Sequence, residues 1–411
     1  MTVRSRHCVC CITPPHILKK LMESKDSEIR NAALNTMLAN ARLRGERAIR
    51  SMAGILTIPA AGRRTVYDCR NSTNLSTAVI ARTEDGAAST DSSVNRAFVG
   101  LGSTREFYRE VFNRDSVDAR GMRLDGFVHR GVRYNNAFWD GQQMVFGDGD
   151  GLIFGDFTQS LDVIGHELTH GVTEFTANLE YRNQSGALNE SMSDVFGSLV
   201  KQWTLGQTAD DADWLIGAEI MTPGIAADAL RSLRAPGTAY DNSLLGKDPQ
   251  PDHMNRYVNL PDTDDGDYGG VHINSGIPNK AFYLLATEIG GNAWEAPGHI
   301  WYDSLLASNE FTQFQEFADT THLKASQLYG TNSAEQQAVA AAWREVGIRV
   351  TGASTRPGNS GSSKASLSVG KGAGAEKGFD SFAQLGSQLA DLSTQVKALA
   401  RDVKSLKEKS R

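Results

Sequence analysis

The chain has 411 residues, a formal net charge of −6 and 40% apolar residues. That length is enough for two or three domains with a sizeable core, and the acidic balance argues against nucleic acid as the main partner. No apolar run reaches the ~18 residues of a membrane span, so no membrane partner is expected.

The N-terminus carries Arg4, Arg6 and His7, then only Cys8 to Ile12 before Pro14-Pro15. This apolar stretch is too short for a signal-peptide core. With no conventional export signal evident, the expectation is a cytoplasmic protein or one secreted by another route. Four cysteines, Cys8, Cys10, Cys11 and Cys69, are too few and too clustered for a disulfide framework, which favours reduced thiols. After the proline pair, Leu18, Leu21, Met22, Ile29, Ala33 and Met37 recur at near-helical spacing.

Residues from about 60 to 155 are rich in glycine, short apolar alternations and turns, and read as a β-rich half. Residues 156–350 carry longer helical patterns, including Ala281 to Ile289 and Glu335 to Val346. From Thr351 to Gly378 serine, glycine, lysine and alanine dominate, as in a flexible linker. Beyond it Phe382, Leu385, Leu389, Leu392, Val396, Leu399, Val403 and Leu406 form a heptad stripe. A helix over 379–411 that self-associates as a parallel homo-dimer is expected, with Gly386 weakening its first turns.

The most informative stretch is His166-Glu167-Leu168-Thr169-His170. Imidazoles at i and i+4 lie on one helix face and can reach a single metal ion, while Glu167 turns toward a metal-bound water. Glu190 and Asp194 are again i and i+4, beside the apolar Val195, Phe196, Leu199 and Val200. Two His plus one Glu is a catalytic zinc set that leaves one position open. Asp194 is placed to accept the second N–H of a ligating histidine.

With these motifs, and with Asn135-Asn136-Ala137-Phe138-Trp139, Gly147-Asp148-Gly149-Asp150-Gly151, Gly186-Ala187-Leu188-Asn189-Glu190, Leu230-Arg231-Ser232 and Gly269-Gly270-Val271-His272-Ile273-Asn274-Ser275-Gly276, the chain resembles the thermolysin family of zinc metalloendopeptidases from about Arg64 to Val350. The short N-terminal region and Pro14-Pro15 resemble the protealysin-like branch. The resemblance implies an α+β, two-lobed fold with the zinc helix between the lobes. The expected divisions are a precursor region 1–55, a β-rich lobe 56–155, a helical lobe 156–350, the linker 351–378 and the heptad helix 379–411.

The resemblance also implies site roles. His166, His170 and Glu190 would hold one catalytic zinc, with Asn189 and Asp194 around them. Glu167 would be general base and then acid, Tyr181 and His272 oxyanion donors, and Asp267 the residue that orients His272. Asn136, the Ala137 backbone and Arg231 would bind an extended protein or peptide substrate. Phe154, Val163, Ile216 and Leu230 would form an apolar wall, so a bulky apolar residue after the scissile bond is expected. A self-processing zymogen is expected, cut between Arg44 and Arg64, with one of Cys8, Cys10 or Cys11 considered as a thiolate ligand in the precursor.

One departure stands out. Where the family's paired calcium cage uses five acidic residues, this chain has Asp162, Lys201, Asp213, Leu215 and Ala218. Calcium takes six to eight oxygen ligands, so this paired site is expected to be absent. Lys201 would neutralise Asp162 and Asp213 in its place. A second loop keeps Thr222 and Asp228, and its use of calcium is left open. A self-assembling scaffold with an inactive peptidase domain is the competing reading; loss of His166, His170, Glu190 or Glu167 would favour it, and none is lost.

Overall fold

Proline fixes φ near −65° and needs no amide partner, so a proline pair suits a helix start. The computed structural model describes residues 10–53 and 64–351. Pro14 caps and Pro15 opens α1 (Pro15–Leu21), and α2 (Ser27–Ala53) follows. Of the residues at helical spacing, Leu18, Leu21, Ile29 and Ala33 are buried and Met22 and Met37 are half-buried; Ile17 is buried beside them. Ahead of both helices lies a two-residue strand, β1 (Cys10–Cys11).

Five further strands complete a six-stranded sheet: β2 (Arg64–Asp68), β3 (Val79–Thr83), β4 (Leu124–Val128), β5 (Ala137–Trp139) and β6 (Met144–Phe146). Its order is β1-β5-β6-β4-β2-β3. The N-terminal β1 is thus an edge strand, antiparallel to β5, with Cys10 opposite Trp139 and Cys11 opposite Phe138.

The β-rich reading of this half overlooked α3 (Ser92–Phe112), capped by Asp91, whose carboxylate accepts from the Ser93 amide at 2.8 Å. Gly100 and Gly102 look like helix breakers in sequence. Here they make room for side chains packed against the helix, Ile164 at Gly100 and Arg64 at Gly102.

The second half is built on α4 (Leu161–Glu174) and α5 (Asn183–Leu205). These helices cross at two glycines. A Cβ on Gly165 would sit 3.0 Å from Gly197 Cα, and one on Gly197 would sit 2.5 Å from the Asp162 carbonyl oxygen. Only hydrogens fit there, so the backbones approach closely and side chains one or two turns along each helix meet across the seam. The hairpin β7 (Leu215–Ile216) and β8 (Arg231–Ser232) flanks α5, followed by β9 (Asp241–Asn242) and β10 (Gly246–Lys247). Then come α6 (Asp267–Asn274), α7 (Gly276–Ile289), α8 (Ala296–Ala307), α9 (Phe314–Tyr329) and α10 (Ala334–Glu345). The helices expected at 281–289 and 335–346 are the last two-thirds of α7 and nearly all of α10. Stacked Trp301 and Trp343, ring centroids 5.7 Å apart, anchor this helical core. The linker beyond Thr351 and the heptad stripe lie outside the described residues.

Candidate active site

The two imidazoles of α4 have fixed tautomers. Asp194 is buried, and although burial opposes its ionisation, Arg231 and His166 outweigh it and lower its pKa. A carboxylate only accepts, so His166 Nδ1 donates to Asp194 Oδ1 at 2.8 Å. Asn189 Nδ2 donates to the Leu179 carbonyl, which turns Asn189 Oδ1 toward His170 Nδ1 at 2.9 Å. Ser193 Oγ also reaches His170 Nδ1, at 3.0 Å. Both Nε2 lone pairs are therefore left facing each other at 3.0 Å. Burial pushes His170 down to about 3, so it is neutral.

Glu190 reaches the same point from α5. Its carboxylate lies 3.6 Å from His166 Nε2 and 3.5 Å from His170 Nε2. Its Oε1 accepts from Tyr181 OH, whereas its buried Oε2 has no partner. The three ligand atoms lie within 4.8 Å of one another. Two converging lone pairs and an unpartnered carboxylate oxygen, all buried, fit a divalent cation. Glu167, one residue on from His166, is fully buried, and its Oε2 accepts from the Trp139 amide at 2.9 Å. This ties the carboxylate to β5.

His272 approaches from α6. Asp267, Tyr268, Gly269 and Gly270 all have left-handed φ values of 49 to 86°. This strained turn places the Asp267 carboxylate 2.6 Å from His272 Nδ1 and 2.9 Å from its amide. Burial would lower the His272 pKa, but Asp267 and Glu190 outweigh it and raise it to about 9. Its Nε2 lies 3.2 Å from Tyr181 OH.

Arg231, fully buried on β8, forks onto Asp194 through Nε and Nη2, both at 2.8 Å. Asn279 Nδ2 holds the other side of that carboxylate, also at 2.8 Å. One carboxylate thus positions both a metal-facing imidazole and the guanidinium. Asn136 and Ala137 lie at the start of β5, the edge that β1 covers. Ile12 N donates to Ala137 O at 3.2 Å, and Thr13 N donates to Asn136 Oδ1 at 3.0 Å. Phe154, Val163, Ile216 and Leu230 are fully buried in the same apolar cluster as Ile12. Cys11 faces elsewhere: its side chain joins Cys69, Phe127, Tyr134, Phe138 and Val145, so it is not a metal ligand. Cys8 and the Cys10 side chain lie outside the described residues.

Several partners had no sequence signal. Ser193 and Asn279 are ordinary residues in their local context, and the motif that contains Trp139 does not show that its amide meets Glu167. A fourth is Glu219, at the departure noted above. Lys201 Nζ sits 3.1 Å from Asp162, 3.0 Å from Asp213 and 2.7 Å from Glu219. Burial would depress its pKa, but these carboxylates raise it, and it stays charged. With an ammonium among the carboxylates, these residues do not fit a calcium pair. In the second loop, Thr222 Oγ1 donates to the Leu152 carbonyl at 2.6 Å.

No helix among the described residues is long and apolar enough to cross a membrane. Two family models match the chain: "Thermolysin metallopeptidase, catalytic domain" over residues 49–174, and "Thermolysin metallopeptidase, alpha-helical domain" over 177–348. The chain is 46% identical to an extracellular metalloprotease of Pectobacterium carotovorum subsp. carotovorum, over 83% of this chain and 97% of that protein. It is 43% identical to Protease PrtS of Photorhabdus sp. (strain Az29), over 82% and 92% respectively. The solved precursor of protealysin, a metalloproteinase from Serratia proteamaculans, superposes with a TM-score of 0.74 at 47% identity, covering 82% of this chain and 99% of that one. With both family models matched in order and the α+β fold shared with a solved relative, the chain belongs to the thermolysin family of metallopeptidases.

Proposed function

We propose that the chain is a zinc-dependent neutral endopeptidase, made as a latent, self-processing precursor and acting outside the cell. The observation that carries this reading is the convergence of two imidazole lone pairs and the unpartnered Glu190 Oε2 beside Glu167, at a cleft that already holds an extended strand. Three protein ligands of this kind suit zinc and leave a position for water. When bound, zinc polarises a substrate carbonyl and makes water nucleophilic near neutral pH. Glu167 takes the proton of the attacking water and delivers it to the leaving amine; the Trp139 amide holds its carboxylate for this. Tyr181 and His272 donate to the developing oxyanion, and Asp267 keeps His272 oriented. Asn136, Ala137 and Arg231 hold the peptide, and the apolar wall of Phe154, Val163, Ile216 and Leu230 favours a bulky apolar residue after the scissile bond.

Latency rests on the docking of the N-terminal region. Besides β1, His16 Nε2 meets Tyr240 OH at 2.8 Å, Glu28 pairs with Arg133 at 2.8 Å, and Arg44 pairs with Asp264 at 2.7 Å. Removal of this region by a cut between Arg44 and Arg64 opens the cleft. Lys201 replaces the paired calcium ions as the internal cation of its cluster. The heptad stripe of 379–411 is assigned the role of dimerising the protein, which light scattering on the full chain and on a chain ending at Val350 tests; two monomers would refute it.

The central experiment compares wild-type and Glu167→Ala protein for zinc content, casein hydrolysis and intact mass. The wild type should bind zinc, shorten itself and hydrolyse casein, whereas the variant should keep zinc, stay whole and be inactive. Full casein hydrolysis by zinc-free protein would sink the reading.

A further inference from the structure

Residues 11–13 lie in the cleft in a defined register. The Cys11 carbonyl accepts from His272 Nε2 at 3.1 Å, the nitrogen that also neighbours Tyr181 OH. It is therefore the carbonyl held by His272, whose Nε2 also lies 3.6 Å from Glu190 of the His166–His170–Glu190 cluster. The next carbonyl, that of Ile12, accepts from Arg231 Nη1 at 3.1 Å. The Ile12 and Thr13 amides donate to Ala137 O and Asn136 Oδ1. The Ile12 side chain is fully buried, in the cluster that contains Phe154, Val163, Ile216 and Leu230. A blocking segment needs only to fill space. This one satisfies the edge strand, the guanidinium and His272 at once, with an apolar residue after the bond they frame.

We propose that the segment is held as a substrate and that the Cys11–Ile12 peptide bond is a self-cleavage site, hydrolysed within the same molecule before the cut that removes the N-terminal region. The proposal rests on the peptidase reading above. A water oxygen adds to the Cys11 carbonyl carbon while Glu167 takes its proton. The Cys11 C–Ile12 N bond then breaks, and the proton passes to the Ile12 nitrogen. The products are a Cys11 carboxylate and an Ile12 amine. This cut leaves the protein latent, because beyond the β1 pairing the contacts that dock α1 and α2 lie after it: His16 on Tyr240, Glu28 on Arg133 and Arg44 on Asp264. Ile12 stays clasped by Ala137 and Arg231 as a retained product. Activation therefore takes two cuts, the first silent.

The test follows purified, zinc-loaded full-length protein by intact mass and N-terminal sequencing at several dilutions, with casein hydrolysis measured in parallel. A chain beginning at Ile12 should appear before casein activity, with a half-time independent of dilution, and never in Glu167→Ala protein. Ile12→Ala should slow it roughly tenfold or more, as expected for lost methylenes in an apolar pocket. The register has a readout independent of turnover. In metal-free Glu167→Ala protein the Ile12 and Thr13 amides should exchange slowly with solvent, and a further Asn136→Ala change should release Thr13. Fast exchange at both amides overturns the proposal, as does an active, casein-hydrolysing protein in which the bond from Cys11 to Ile12 never breaks. Zinc-loaded protein that cleaves neither itself nor casein overturns the peptidase reading beneath it.

Discussion

Helices α4 and α5 carry two buried ionic clusters across one seam. At the first, His166, His170 and Glu190 bring together two lone pairs and a carboxylate oxygen without a partner. At the second, Lys201 reaches Asp162, Asp213 and Glu219, so the chain supplies its own cation. Buried carboxylates need a positive partner in either case. A cluster closed by a lysine can only stabilise. A cluster left open, with two lone pairs facing each other, has room for a cation from solution, which would keep a position for chemistry. On this helix pair, Lys201 fills one cluster with its own charge, whereas Glu190 adds a further donor atom to the other.

The largest effects should come from the open cluster. Glu167→Ala should retain zinc and lose a factor of roughly 10² to 10⁴ in peptide hydrolysis, since the base goes and the ligands stay. His170→Ala should lose both zinc and activity; a variant that keeps full activity without bound metal would break the comparison at once.

The closed cluster should respond in stability and leave zinc content unchanged. Lys201→Ala strands a buried Asp162 and should cost near the lower end of roughly 3–5 kcal/mol, because Asp213 and Glu219 keep access to water. Urea unfolding in the Glu167→Ala background, which avoids autolysis, measures this. A chelator selective for calcium over zinc should leave the melting temperature of the parent nearly unchanged, and a large drop would mean that another calcium site dominates.

The seam itself offers a third test. Gly197→Ala pushes a methyl against the Asp162 carbonyl and the His166 backbone. It should destabilise by roughly 1–3 kcal/mol, as overpacking does, and weaken zinc binding at the same time. If stability falls while zinc affinity stays intact, the two clusters are not coupled through the crossing.

The smallest effect belongs to a more exposed cluster. His129 bridges Asp148 and Asp91, both at 2.8 Å, and the bond to Asp148, opposed by partial burial, raises its pKa to about 9. A raised folded-state pKa means that the stabilisation is complete below about 6.5 and lost as pH rises through about 9. Solvent screening reduces it to about 1 kcal/mol. His129→Gln should flatten the change in stability between pH 6 and pH 9.5; an unchanged profile would assign it to other groups.

Much of the first cluster was legible in the chain because helix geometry is local. His166 and His170, and Glu190 and Asp194, are each one turn apart, and that spacing alone places both pairs on helix faces. The lysine at 201 likewise announced an internal cation beside Asp162 and Asp213. The helix of residues 92–112 was not legible, since Gly100 and Gly102 argue against a helix until Ile164 and Arg64 are seen filling their space. Glu219 was missed because nothing local distinguishes a carboxylate that will meet a lysine from one that will meet water.

What the sequence determined by itself is therefore the residue types and their periodicity: two imidazoles and a carboxylate between them on one helix, two carboxylates on the next, and a proline pair that starts a helix near the N-terminus. What only the tertiary structure decided is which distant groups complete each cluster. Ser193 and Asn189 set one imidazole, Asn279 and Arg231 steady Asp194, and the Trp139 amide ties Glu167 to the sheet. It also decided that Cys11 and Ile12 lie against His272 and Arg231, more than two hundred residues away. Such pairings follow from how sheet and helices enclose the cleft, and local spacing cannot encode contacts made by chain segments that meet only on folding.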